Sequence, residues 1–506
     1  MNTASLLMKQ AELLPNKTAI VCKNERITFK ELDDAINRLA RYFSKRGIKP
    51  GTKVILFIPP SIELTATTFA LFKIGAVPIF IDPGMGLKNL LTAIQEVAPN
   101  ALIAGSLIGF MSGFFRRAFT GVDIKLNCAR IREASGKESP SFQMYDATED
   151  EMAAILFTSG GTGKPKGVVY THKIFITQTK LLKEIYSLTP DDVDCPCFSL
   201  FSFFTVAMGL TSYFPDMNHS HPVKTDPGAI ARNLAENKTT FAAGSPIIWD
   251  MVADHCNTRG IQLPLLKSVV MFGAPVTTSL HKKWQNILPN GTTYTPYGAT
   301  ESLPITNISG EYILGNTAEK TLEGAGTCVG KAVPSVVVEI FNEDEIIVSG
   351  DTTTREYYDD KEATRASKIE MNGKLWHKTG DVGTIDDEGH VWFWGRKDHV
   401  VYLGDTKMYP IPCETVFFRN KNVRRAALVG PTIDGRTVPT LIIEPQDGNT
   451  DMSLELQEDL YRIRDKYKHT RPIEKFYLKQ SFPVDVRHNI KIDRIQLRKW
   501  VEDKFK

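Results

Sequence analysis

Thr158, Ser159, Gly160, Gly161, Thr162, Gly163, Lys164, Pro165, Lys166 and Gly167 form one unbroken run. Hydroxyl donors, two ammonium groups and four glycines fill it. Glycine lets backbone N–H groups turn towards an anion and approach it closely, so this composition suits a polyphosphate. The apolar stretch Ala153–Phe157 ahead of it predicts a buried strand. The run is not the common P-loop, because Thr158 stands where the first glycine should be and Pro165 follows Lys164. The plainer alternative is a mobile turn between two strands, which does not require donors at this density.

Further groups suit the other parts of a nucleotide. In Tyr297-Gly298-Ala299-Thr300-Glu301, the aromatic can stack on a purine and Thr300 can donate to a phosphate. Glu301 offers a hard oxygen to Mg²⁺. Thr379-Gly380-Asp381 precedes Gly395-Arg396. A carboxylate accepts from two ribose hydroxyls, and a guanidinium donates to ribose or phosphate. Gly273-Ala274-Pro275 follows an apolar strand and is by itself an ordinary loop. Taken singly, the Tyr297 pentapeptide also reads as a strand-to-loop turn, and Asp381 with Arg396 as an exposed ion pair. Lys491, near the C-terminus, would by default be solvated.

In their order along the chain, these motifs resemble the adenylate-forming (AMP-binding) superfamily of acyl-CoA synthetases, luciferases and peptide-synthetase adenylation domains. The resemblance covers essentially the whole chain. It implies activation of a carboxylate with ATP to acyl-AMP and pyrophosphate. It further implies that Thr158–Gly163 and Lys166 hold the phosphates, and that Gly273, Ala274, Pro275 and Tyr297–Thr300 hold the adenine side. Asp381 and Arg396 would take the ribose, Glu301 the Mg²⁺, and Lys491 would stabilise the adenylation transition state. The implied catalytic set is Lys491, Glu301, Thr158 and Lys166. One departure is Gly161, where the family usually has a second Ser or Thr.

Within that superfamily, Pro483-Val484-Asp485-Val486-Arg487-His488 with Lys491-Ile492-Asp493-Arg494, Cys328–Pro334 and Tyr213–Met217 look like the β-lactone synthetases of bacterial olefin biosynthesis. That likeness implies a long-chain 2-alkyl-3-hydroxy acid whose own hydroxyl displaces AMP, a proximity effect. The alternative is a long-chain fatty-acid–CoA ligase, which leaves CoA as an open second substrate. A non-catalytic acyl- or nucleotide-binding protein is a remote alternative, disfavoured by the retained Lys491 and Glu301. Two departures weaken the CoA alternative. Val401-Tyr402 stands where many CoA-forming members have Ile-Lys, and Phe201-Ser202 where many have Phe-His. Arg487 and His488 are open between anchoring phosphate and facing solvent. Phe198, Phe201, Phe203, Phe204 and Phe214 either line an acyl tunnel or form a buried core helix.

These groups need a frame. Thr18–Cys22, Lys53–Ile58 and Val77–Ile81 read as strands, alternating with helices over Thr28–Lys45 and Ser61–Ile74. The rhythm predicts an α/β fold with a largely parallel sheet covered by helices. Near Gly395-Arg396-Lys397-Asp398 the pattern changes to short strands, Arg425–Gly430 and Thr440–Glu444, and a helix over Ser453–Tyr467. We therefore expect a large N-terminal domain, 1–396, and a small, mobile α+β lid, 397–506, with a hinge at Asp398; the resemblance places it there too.

The chain has 506 residues, too many for one ordinary core. Its 61 basic and 58 acidic residues give a net charge of +3, so bulk charge recommends neither nucleic acid nor an anionic membrane. Seven cysteines without a C-x-x-C pair read as the reduced thiols of a cytoplasmic protein. The N-terminus lacks a signal-peptide pattern. Ala101–Phe115 spans about 15 residues, short of the roughly 20 a crossing helix needs. It reads as strand plus helix, with a shallow peripheral membrane contact as the alternative. Oligomeric state is not legible.

Overall fold

A computed structural model describes residues 1–106, 113–158, 164–219, 221–484 and 492–505. Two sheets carry the first four hundred residues. The first runs Ile124–Asn127, Ala101–Ala104, Lys53–Phe57, Val77–Phe80, Met152–Thr158, Lys166–Thr171. Neighbours are parallel except the last pair. Helices cover it. Phe29–Lys45 starts where the Thr28 hydroxyl accepts from the Glu31 N–H and the Glu31 carboxylate reaches back. Ile62–Ile74 is buried along its length except at Glu63, and its one buried cation, Lys73, is paired with Asp33.

The second sheet has 14 strands. Thr18–Cys22, Thr211–Phe214, Val193–Pro196, Phe241–Gly244, Ser268–Met271 and Thr292–Ala299 pair in parallel. From Ser302–Ser309 onward it turns antiparallel, through Thr327–Ala332, His390–Arg396, Lys374–Ile385, Glu345–Gly350 and Val336–Phe341. The expectation of a largely parallel sheet thus holds only up to Ala299. Beyond it Val336–Phe341 returns to Glu345–Gly350, and Lys374–Ile385 to His390–Arg396, through short connections of the kind that antiparallel pairing accepts.

After Arg396 the chain leaves this sheet. It forms a hairpin, Val401–Leu403 with Thr406–Met408, and a three-stranded sheet of Val423–Val429, Thr440–Pro445 and Lys475–Leu478. Helices Leu454–Lys466 and Arg494–Glu502 flank it. This region rests on the large sheet through Lys407 and Tyr409, which donate to Asp344 Oδ2 at 2.8 and 2.9 Å. All seven cysteines are unpaired. No helix among the described residues is long and apolar enough to cross a membrane. Of the Ala101–Phe115 stretch, the strand Ala101–Ala104 is present; most of the expected helix falls in 107–112, outside the described residues.

Candidate active site

Thr158 and Lys166 face each other across the antiparallel ladder, so the two ends of the glycine loop are held level. Ser159, Gly160, Gly161, Thr162 and Gly163 lie outside the described residues. The Lys166 ammonium sits 5.0 Å from the centroid of the Tyr357 ring, a cation–π approach. The Tyr357 hydroxyl in turn donates to Glu301 Oε1 at 2.7 Å. One aromatic side chain therefore bridges a phosphate-loop cation and the carboxylate expected at the metal. Lys164 is directed elsewhere, to an ion pair with Glu96.

Thr300 and Glu301 form the turn between strands Thr292–Ala299 and Ser302–Ser309. A Cβ on Gly298 would lie 2.7 Å from the Ser302 carbonyl oxygen, so only glycine permits so tight a return. The carbonyls of the turn are held from outside. Tyr170 donates to Thr300 O and Gln178 to Leu303 O, each at 2.8 Å. Glu301 O accepts from both the N–H and the hydroxyl of Thr354, at 2.8 and 3.0 Å. Behind Thr354 lies Lys368, whose ammonium donates to the Thr354 hydroxyl at 3.3 Å. Lys368 is 8% exposed. Burial pushes its amine down to about 8, against the attraction of Glu301. Its cross-strand neighbour His377 is held well below the usual imidazole range by burial and then by the Lys368 charge.

The expected ribose end is built the same way. Asp381 and Arg396 are cross-strand partners. Arg396 Nη1 donates to Asp381 Oδ1 at 2.7 Å and to Thr379 O at 3.0 Å, and the Tyr297 hydroxyl donates to Asp381 Oδ2 at 2.6 Å. Burial raises the Asp381 carboxyl, while Arg396 and Tyr297 pull it back. Gly380, at φ +69°, makes the bend that brings Asp381 to its arginine. Gly273-Ala274-Pro275 leaves the sheet just past strand Ser268–Met271. Val270, three residues before Gly273, is the register partner of Tyr294, three residues before Tyr297.

Lys491, Arg487 and His488 lie outside the described residues. The flanks of that segment are clamped: Val484 bridges Ile492, and the Asp493 N–H donates to Pro483 O at 2.9 Å. Arg494 makes a two-pronged ion pair with buried Glu414 at 2.6 and 2.9 Å. His399 is pushed down to about 4 by burial, then by the charges of Arg494 and Arg396.

Tyr357 thus joins Lys166 to Glu301, Asp381 joins Tyr297 to Arg396, and the segment Tyr297–Glu301 ties the two groups together. Sequence reasoning missed Tyr357, Thr354 and Lys368, which lie more than fifty residues beyond Glu301. The only local signals were the hydroxyl run Thr352-Thr353-Thr354 and the pair Tyr357-Tyr358. Among the described residues no three His, Cys, Asp or Glu side chains cluster as a metal cage. A lone carboxylate, Glu301, fits Mg²⁺, which takes most of its ligands from phosphates and water.

For the acyl side, the aromatic stretch is not one helix. It is a 3-10 turn Ser199–Phe201, a short helix Ser202–Ala207 and strand Thr211–Phe214. Phe201 stacks on Phe241 and Phe272, with centroids 5.7 and 5.9 Å apart. Beneath lies Asp194, fully buried, with Oδ2 accepting from Thr205 and Ser212 at 2.6 and 3.1 Å.

The family model described as AMP-binding enzyme matches residues 7–358. An olefin beta-lactone synthetase of Xanthomonas campestris is 35% identical, covering 99% of this chain and 97% of its own. One from Stenotrophomonas maltophilia is 33% identical, covering 99% and 98%. Among solved structures, ATP-bound MatB from Rhodopseudomonas palustris superposes with a TM-score of 0.83 at 22% identity, covering 100% of both chains, and so shares the fold. The chain belongs to the AMP-binding enzyme family and is an ATP-dependent, AMP-forming ligase.

Proposed function

We propose that the protein adenylates a long-chain 2-alkyl-3-hydroxy acid and closes it to a β-lactone. The near-full-length likeness to two olefin beta-lactone synthetases carries this reading. Local features favour it over thioester formation: the hinge hairpin carries Val401-Tyr402, and Ser202 replaces a histidine common in CoA-forming members.

In this mechanism the substrate carboxylate attacks the α-phosphorus of ATP, and pyrophosphate leaves. The substrate's 3-hydroxyl oxygen then attacks the acyl carbon, the acyl–phosphate C–O bond breaks, AMP departs with the electron pair, and the hydroxyl proton passes to solvent. Thr158, Ser159, Gly160, Gly161, Thr162, Gly163 and Lys166 hold the β- and γ-phosphates. Gly273–Pro275 and Tyr297–Thr300 hold the adenine side, and Asp381 and Arg396 exchange their mutual contacts for ribose hydroxyls. Glu301 holds Mg²⁺, which neutralises phosphate charge when bound. Lys491 stabilises charge at the α-phosphate. We assign residues 1–396 to the main domain and 397–506 to a lid hinged at Asp398, working in the cytoplasm.

Product analysis with Mg-ATP and a 2-alkyl-3-hydroxy acid tests the reading. β-Lactone and AMP are expected without CoA. Thioester appearing only with CoA, from a simple fatty acid, would overturn it in favour of a fatty-acid–CoA ligase.

A further inference from the structure

We propose that Lys368 is a positioning residue that fixes Glu301 for metal-bound nucleotide. The inference rests on the reading of Glu301 as the Mg²⁺ ligand. Its basis is a directed chain of hydrogen bonds. An ammonium can only donate, so Lys368 occupies a lone pair of the Thr354 hydroxyl at 3.3 Å. The Thr354 proton is thereby directed to Glu301 O, 3.0 Å away, beside the Thr354 N–H that reaches the same oxygen at 2.8 Å. With Tyr357 on Glu301 Oε1 at 2.7 Å, the residue is gripped at backbone and side chain from one segment, Thr354–Tyr357.

A lysine 8% exposed is costly, and among the described residues the ammonium of Lys368 is seen bonded to the Thr354 hydroxyl and not to a carboxylate. The charges facing it are Glu301, which attracts it, and His377 on the paired strand, which burial keeps neutral. A methionine would fill the same volume without that cost. A buried cation one hydroxyl away from the backbone carbonyl of Glu301 has its explanation in the anionic load there: the Glu301 carboxylate and a triphosphate would share one divalent ion. Outer contacts of this kind tune metal affinity by about 10–100-fold.

The test compares Lys368→Met and Lys368→Arg with the parent, using full-length protein. Calorimetry measures binding of ATP with Mg²⁺, ATP with EDTA, and AMP; pyrophosphate release is followed against Mg²⁺ concentration. Lys368→Met should raise the Mg²⁺ needed for half-maximal rate about tenfold and weaken Mg-ATP binding similarly. Binding of AMP should stay within about twofold, which verifies an intact fold, and Lys368→Arg should recover most of the loss. Unchanged Mg²⁺ dependence in Lys368→Met overturns the inference. So does an equal loss of AMP and Mg-ATP binding, since that marks a structural role. If the parent releases no pyrophosphate with any acid, the adenylation reading fails, and the calorimetric comparison still decides the role of Lys368.

Discussion

The proposed nucleotide site and the aromatic wall each bury a carboxylate, burial raises both, and the partners supplied differ. Asp381 has Arg396 at 2.7 Å and the Tyr297 phenol at 2.6 Å. Asp194 has only the hydroxyls of Thr205 and Ser212, and burial pushes its carboxyl up to about 7. Burial alone therefore does not mark a functional acid. Around Asp381 burial raises the carboxyl, and the Arg396 charge and the Tyr297 hydroxyl offset part of that rise. The wall lets its carboxyl hold a proton and serve as packing.

The contrast predicts that cleft substitutions change rate and leave stability, while wall substitutions do the reverse. The largest effect is expected from Lys491→Ala. Pyrophosphate release should fall about 10³-fold while ATP binding and the melting temperature hold; an unchanged rate removes Lys491 from the mechanism. Phe201→Ala, which empties the stack on Phe241 and Phe272, should cost about 3 kcal/mol in denaturant unfolding. Its adenylation rate on a short acid should stay near the parent's, and a large loss there would erase the division between the regions. Glu301→Gln keeps an acceptor for Tyr357 but lowers the charge. The Mg²⁺ requirement should rise about tenfold, read from rate against metal concentration.

The smallest effect tests the wall. Asp194 ionises near 3.8 when unfolded and near about 7 when folded. Between those values the fold holds a proton that the unfolded chain has released. This contribution to stability is fully present below about 4 and lost as pH rises through about 7. Asp194→Asn cannot titrate, so its unfolding free energy should lack that part of the decline between pH 5 and 8. Parallel curves for variant and parent would show that Asp194 is ionised in the fold.

Local signals carried far in this chain. The Thr28 cap, the strand entering the glycine loop and the change of pattern after Arg396 are all written in neighbouring residues. The nucleotide motifs were legible because each packs its chemistry into a few positions. Tyr357 and Lys368 were not, because their role exists only once the antiparallel half of the second sheet folds back beside Glu301. The same half defeated the expectation of parallel pairing: Lys374–Ile385 pairs antiparallel with Glu345–Gly350 and His390–Arg396, and the alternation of residues along a strand does not record its direction. Phe198–Phe214 was ambiguous because aromatic residues satisfy helix, turn and strand alike when all are buried.

The facing of Thr158 with Lys166, and of Asp381 with Arg396, has a consequence for variation. In a ladder, a slip of one residue sends every side chain to the opposite face. Both pairs are thus encoded as matched teeth of the sheet, and loss of count in either strand would separate them; if they bind nucleotide as proposed, it would remove function with them. Insertions confined to the turns leave both pairs meshed. A library that randomises turn lengths and spares the paired strands should stay rich in nucleotide-competent members, while one that shifts strand length by a single residue should be nearly barren.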